Sequence, residues 1–126
     1  MTDITEEQFA AVQALPPAER YAYFLRYVTE SEELWTLRNA EDFVMYSDEN
    51  GRELVPVWPH RRFAEACADS AWDETVAFKI DLDRWLAAWT PGLETEGRLV
   101  AVFPLANDQG VIVSPEQLAA DLEKLP

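Results

Sequence analysis

Apolar positions recur with a helical period at both ends of this chain and with a strand period through much of its middle. Thr5 precedes Glu6, Glu7 and Gln8. That order predicts a short first helix with the Thr5 hydroxyl as cap and Gln8 at the capping-box position, ending near Ala14. Pro16 and Pro17 then restart a helix in which Tyr21, Phe24, Leu25 and Val28 fall at i, i+3, i+4 and i+7. Such a stripe must face a core, and Tyr23 and Tyr27 widen it. Glu30, Glu32 and Glu33 crowd the negative end of that helix's dipole and help to stop it.

Residues 34–38, 43–47 and 53–58 read as three strands joined by Asn39-Ala40-Glu41 and by Asp48-Glu49-Asn50-Gly51. Short polar connections predict antiparallel neighbours, and Asn50-Gly51 is a turn signal because both residues tolerate positive φ. Pro56 cannot donate to a ladder, so its strand is an edge or is interrupted on that side. Pro59 then suits the first turn of a helix bearing Phe63, Ala66 and Cys67. After a loop around residues 69–73, Val76, Phe78 and Ile80 alternate as a further strand. Asp81 is placed to cap a helix with Leu82, Trp85, Leu86 and Trp89 on one face, closed by Pro91-Gly92. Residues 99–103 and 111–113 are the last strands, with a hairpin-like loop through residues 106–110. Ser114, Pro115 and Gln117 supply cap, first helical position and capping-box position for a final helix buried along Leu118, Leu122 and Leu125.

Together these elements predict an α+β domain with a mainly antiparallel sheet of about five or six strands, helices packed on it and helical termini. The pattern V-x-V-aromatic-Pro occurs twice, at Val55 and at Val100, which either paired strands ending on the same rim or a chance likeness of two buried strands would produce. At 126 residues the chain fits a single domain over 1–126, a helical N-terminal extension over 1–15 preceding a core over 16–126. Phe24, Val57, Trp85 and Leu118 are expected to share that core.

Charge narrows the function classes. Ten Lys and Arg oppose 24 Asp and Glu, a formal net charge of −14 that repels phosphate backbones and anionic membranes. A protein partner is expected instead, and neither nucleic acid nor membrane. One Cys and one His can build neither an internal disulfide nor a typical structural zinc site. No metal or other cofactor is therefore expected, and a reducing cytoplasm is the natural compartment. The acidic start MTDITEEQF is unlike a basic signal peptide.

Catalytic patterns are missing as well. No G-x-G-x-x-G or Walker-type loop occurs among four Gly, no G-x-S-x-G surrounds Ser114, and Asp48-Glu49-Asn50-Gly51 lacks the later Glu of a calcium loop. No catalytic residue is assigned. The candidate binding residues are Trp58, His60, Arg61 and Arg62, where a strand meets a helix start and basic side chains stand near free N–H groups. A carboxylate or phosphate is the ligand such a turn would attract.

The segments LWTLR, LVPVWPHRRFAEAC, IDLDRWLAAWTPGL, VAVFP and GVIVSPEQLAADL follow one another in an order that resembles the bacterial family known as domain of unknown function 2750. The likeness runs from about Tyr21 onward and leaves the stretch up to Leu15 outside. It implies a small bacterial cytosolic protein and carries over no activity and no site. The expected function is a non-enzymatic protein-interaction module. Two alternatives stand beside it: an immunity or antitoxin type that masks a basic partner, and a small anion or metabolite sensor.

Overall fold

The computed structural model describes residues 4–47, 50–70, 74–105, 108 and 110–124. The expectations for Asp48, Glu49, Ala106, Asn107, Gln109, Leu125 and residues 71–73 lie outside these. Among the described residues, six strands form two sheets with helices before, between and after them. Strands β1 (Glu33–Arg38) and β4 (Val76–Asp81) make one antiparallel pair. Strands β2 (Tyr46–Ser47), β3 (Glu53–Val57), β5 (Leu99–Val102) and β6 (Val111–Val113) make the other sheet in that order. Three of the four pairings are antiparallel, and β3 with β5 is parallel.

The predicted run of three adjacent strands is only partly formed. Residues 34–38 touch the following segment through the Arg38–Phe43 bridge and the Val44 N–H to Leu37 carbonyl bond of 2.9 Å, and no ladder continues. Strand β1 gives its full length to β4 instead, from Glu33 opposite Asp81 to Arg38 opposite Val76. An Asn39 turn explains the early exit: its Oδ1 accepts the N–H groups of Glu41 and Asp42, both at 2.8 Å, and bends the chain away. A Trp35–Trp58 bridge joins the two sheets.

The repeated V-x-V-aromatic-Pro pattern marks neighbouring strands. Val55 lies opposite Val100 and Val57 opposite Val102. Parallel strands require a long crossover, which here carries a helix, β4 and a second helical stretch. Pro56 turns its backbone to the same side as Leu54 and Trp58, away from β5. On that side β2 stops at Leu54, so the missing donor meets no ladder, and the Pro56 carbonyl takes the Thr36 hydroxyl at 2.8 Å.

Helix α1 (Glu6–Gln13) opens with the predicted capping box: Thr5 Oγ1 accepts from the Gln8 N–H, and Gln8 Oε1 accepts from the Thr5 N–H. Helix α2 (Pro17–Ser31) buries Phe24 and Val28 and ends on Glu32, whose φ of +60° turns the chain toward β1. Helix α6 (Pro115–Lys124) starts with Ser114 Oγ accepting the Gln117 N–H at 3.1 Å.

Two expected boundaries and one expected capping bond are corrected. Helix α3 (Arg61–Ser70) begins two residues after Pro59, because the strand-like bridge extends to Trp58 and His60 takes the capping position. Asp81 stands before helix α4 (Leu82–Arg84) without a side-chain capping bond. Pro91-Gly92 does not close that helix. A π-helical turn over Trp85–Trp89 follows α4 and runs directly into α5 (Thr90–Glu96). Thr90 donates to the Trp85 carbonyl, an i to i−5 bond, and Pro91 then falls in the first turn of α5 where a missing donor is tolerated. The stop comes at Gly97, with φ +69°.

Phe24, Val57, Trp85 and Leu118 are each fully buried in one core, which Ile4 and Val12 of the N-terminal stretch also join. Two features hold its rim. Phe103 has φ +58°, a rare conformation for an aromatic residue, and it is locked by contacts with Phe63 and by its N–H bond to the Val57 carbonyl at 2.8 Å. Buried Arg20 reaches the carbonyls of Leu15 and Phe103 at 2.7 and 3.3 Å and sets its Nη2 3.1 Å from an Asp108 oxygen as an ion pair.

Candidate functional site

The turn from β3 into α3 distributes the four candidate residues between core and surface. Trp58 is buried, with its indole N–H donated to the Pro104 carbonyl at 2.8 Å, so it is part of the core and not open to a ligand. His60 is also buried. Its Nδ1 accepts the Arg62 N–H at 3.1 Å, and its carbonyl accepts from Phe63 and Ala64, which makes it the cap of α3. Arg61 is exposed and pairs loosely with Glu65 one turn on, at 3.8 Å. Arg62 turns back to α1: Nη1 donates to the Ile4 carbonyl at 2.8 Å, Nη2 to Glu6 Oε1 at 2.7 Å, and the guanidinium lies 4.5 Å from the Phe9 ring centre. Both arginines of this turn therefore have a carboxylate beside them, Glu65 on Arg61 and Glu6 on Arg62.

Nucleophilic groups have structural employment. The Cys67 thiol is buried and points at the Pro104 carbonyl; burial pushes its pKa up to about 11, against a smaller lowering by Trp58. Ser114 caps α6 and His60 caps α3. Among the described residues no three His, Cys, Asp or Glu side chains group as a metal site.

A different face carries the concave surface. Asp42 Oδ1 accepts the Phe43 N–H at 2.8 Å and fixes the residue after the Asn39 turn. The Phe43 ring meets Phe78 of β4 edge-on at 5.1 Å and Trp89 of the π-turn at 4.8 Å. Trp89 in turn stacks on Trp85 at 5.5 Å, which anchors it to the core. Phe43, Phe78 and Trp89, with Met45, Arg84, Ala88 and Leu93, line a cleft of about 370 Å³. Arg38 covers the Phe43 and Phe78 rings with its guanidinium at 5.3 and 5.5 Å.

Next to the cleft, and sharing Phe43, Met45 and Glu96 with it, is a polar cavity of about 700 Å³. Asp42, Glu53, Glu74 and Glu96 line it, and the only cation among its described lining residues is Arg98. Arg98 lies 3.1 Å from Glu96 and 3.7 Å from Glu53, so one guanidinium is shared between two of the four carboxylates. Each cavity is within the size range of ligand sites, and side by side they suit an apolar group attached to a cation.

The fold and this surface define an acidic α+β protein with an aromatic cleft beside a carboxylate-lined cavity. The chain belongs to the family described as protein of unknown function (DUF2750), whose model matches residues 21–122. No curated protein matches it. No described helix is long and apolar enough to cross a membrane.

Sequence reading placed Phe43, Phe78 and Trp89 on separate elements but missed their convergence. Their meeting depends on the β1–β4 pairing, which no short connection announces. Pro91 inside a helical stripe was the one local signal of an irregular helix at this place.

Proposed function

We propose that the protein is a non-enzymatic interaction module that acts in the bacterial cytoplasm and binds a basic protein partner. The observation that carries this reading is the cavity in which, among the described residues, four carboxylates face a single guanidinium. On a chain of net charge −14 this concentrates negative potential in a concave place, which speeds encounter with a cationic surface and disfavours anionic ones. An immunity or antitoxin protein masking a basic toxin is the concrete form. Tagged full-length protein, purified from its native cells after reversible cross-linking, is expected to carry one basic protein at fixed stoichiometry, and the reconstituted complex should weaken as salt rises. Recovery of acidic partners alone, or affinity indifferent to salt, overturns the reading.

A second reading, a small-anion sensor at Trp58 to Arg62, is favoured by the Glu6 carboxylate on Arg62. An incoming anion that displaced this exposed glutamate would couple binding to release of α1. Titration with inorganic phosphate and with citrate, followed by amide exchange of residues 6–13, tests it. Exchange unchanged at high anion concentration counts against it.

A further inference from the structure

We infer that the aromatic cleft and the acidic cavity form one docking groove for a peptide segment of the partner in which an apolar side chain stands beside Lys or Arg. This rests on the reading of the protein as an acidic interaction module and assigns that module its contact surface and the chemistry of its partner.

The cleft offers half-buried carbon surface from Phe43, Met45, Phe78 and Trp89, with exposed Arg84 and Glu96 both on its lining, and its volume admits one large apolar side chain. It is built from three elements and braced by edge-to-face ring contacts, so it is preformed rather than a gap between mobile side chains. Glu96 lies on the border of both cavities. A cation carried one or two positions from the anchor would therefore leave the cleft directly among Glu96, Glu53 and Glu74. Charge complementarity selects this occupant. A second copy of the chain would bring another surface of net charge −14, and a nucleic acid would bring phosphates. An apolar segment without a cation would gain nothing from Glu74, Asp42 and the two carboxylates that share Arg98.

The geometry also supplies a variant that adds bulk without removing a contact. Ala88 is an exposed residue lining the cleft, so Ala88→Trp fills the cleft from its rim. The experiment is selection from a random-peptide phage library on the full-length protein, followed by affinities of the enriched peptides. Sequences with an aromatic or large aliphatic residue next to Lys or Arg are expected. Ala88→Trp should weaken their binding by roughly tenfold or more, as for loss of a central anchor. The pair Glu74→Gln and Glu96→Gln should weaken it about five- to tenfold, while Glu19→Gln with Glu123→Gln, the same charge change elsewhere, should alter it less than about twofold.

Circular dichroism and thermal melting establish that each variant is folded, and the carboxylate pair decides the matter should Ala88→Trp not fold. Equal weakening by both glutamine pairs, with Ala88→Trp binding normally, overturns the groove while leaving the acidic-module reading intact. Enrichment of acidic or uncharged sequences, or of none above a scrambled control, overturns both.

Discussion

Trp58 and Pro104 are joined by an indole N–H to carbonyl bond of 2.8 Å, inside the core and between the rims of two parallel strands. The Pro104 carbonyl also faces the Cys67 thiol at 3.3 Å, so three elements converge on one acceptor. Trp58→Phe removes the donor and part of the ring. It is expected to lower stability by about 2–3 kcal/mol, through a lost buried bond and a small cavity. Urea denaturation followed by far-UV circular dichroism measures it, and a loss well under that range would show the bond to be dispensable.

Arg62 and Arg61 are adjacent but not equivalent. Arg62 ties α1 to α3 through Ile4, Glu6 and Phe9, whereas Arg61 makes only an exposed pair with Glu65. Arg62→Ala should cost about 1–2 kcal/mol and raise amide exchange over residues 6–13, while Arg61→Ala should stay within about 0.5 kcal/mol of the parent. Hydrogen exchange with mass spectrometry distinguishes them. Equal behaviour of the two variants would remove the tether.

Asp108 supplies a pH dependence whose sign is determined. The Gly110 N–H at 2.7 Å holds its carboxyl below the ordinary range, helped by Arg20 and opposed by desolvation. A carboxylate depressed in the folded state contributes stability above its unfolded pKa of about 3.9, and that contribution fades as pH falls through the folded value. Asp108→Asn should therefore be less stable than the parent at neutral pH, with the gap narrowing on acidification below about pH 4. Thermal melting across that range checks it, and a gap that widens in acid contradicts the assignment.

Gly110 has φ +72°, and a Cβ there would stand 2.2 Å from the Val102 carbonyl oxygen and 2.9 Å from Phe103 backbone atoms. Gly110→Ala must therefore move β5 or the residues after it. A loss of about 3 kcal/mol or more is expected, larger than for conformational strain alone. Gly92→Ala, where a Cβ meets nothing within 4 Å, is the matched control and should be neutral or slightly stabilising. Comparing their melting temperatures is sufficient.

Local chemistry was legible in the sequence wherever a structure is decided within a few residues. The Thr5–Gln8 box, the Ser114 cap, the stripe through Phe24 and Val28 and the α+β class depend on side chains reaching their own neighbouring backbone, or on a periodic face that must be buried. Even the pairing of β3 with β5 left a trace, because two central strands ending on one rim met similar demands at Val55 and Val100. Tertiary structure alone decided what depends on competition between distant partners. Strand β1 had two possible neighbours and gave its ladder to β4. Arg62 found Glu6, 56 residues away, instead of remaining at an open turn. The helix through Trp85 passes a π-turn and then takes Pro91 into the first turn of α5, because packing of Trp85 and Trp89 outweighed the local stop signal. The groove of Phe43, Phe78 and Trp89 exists only because those choices bring three separate segments together, and no spacing within a single segment encodes that meeting.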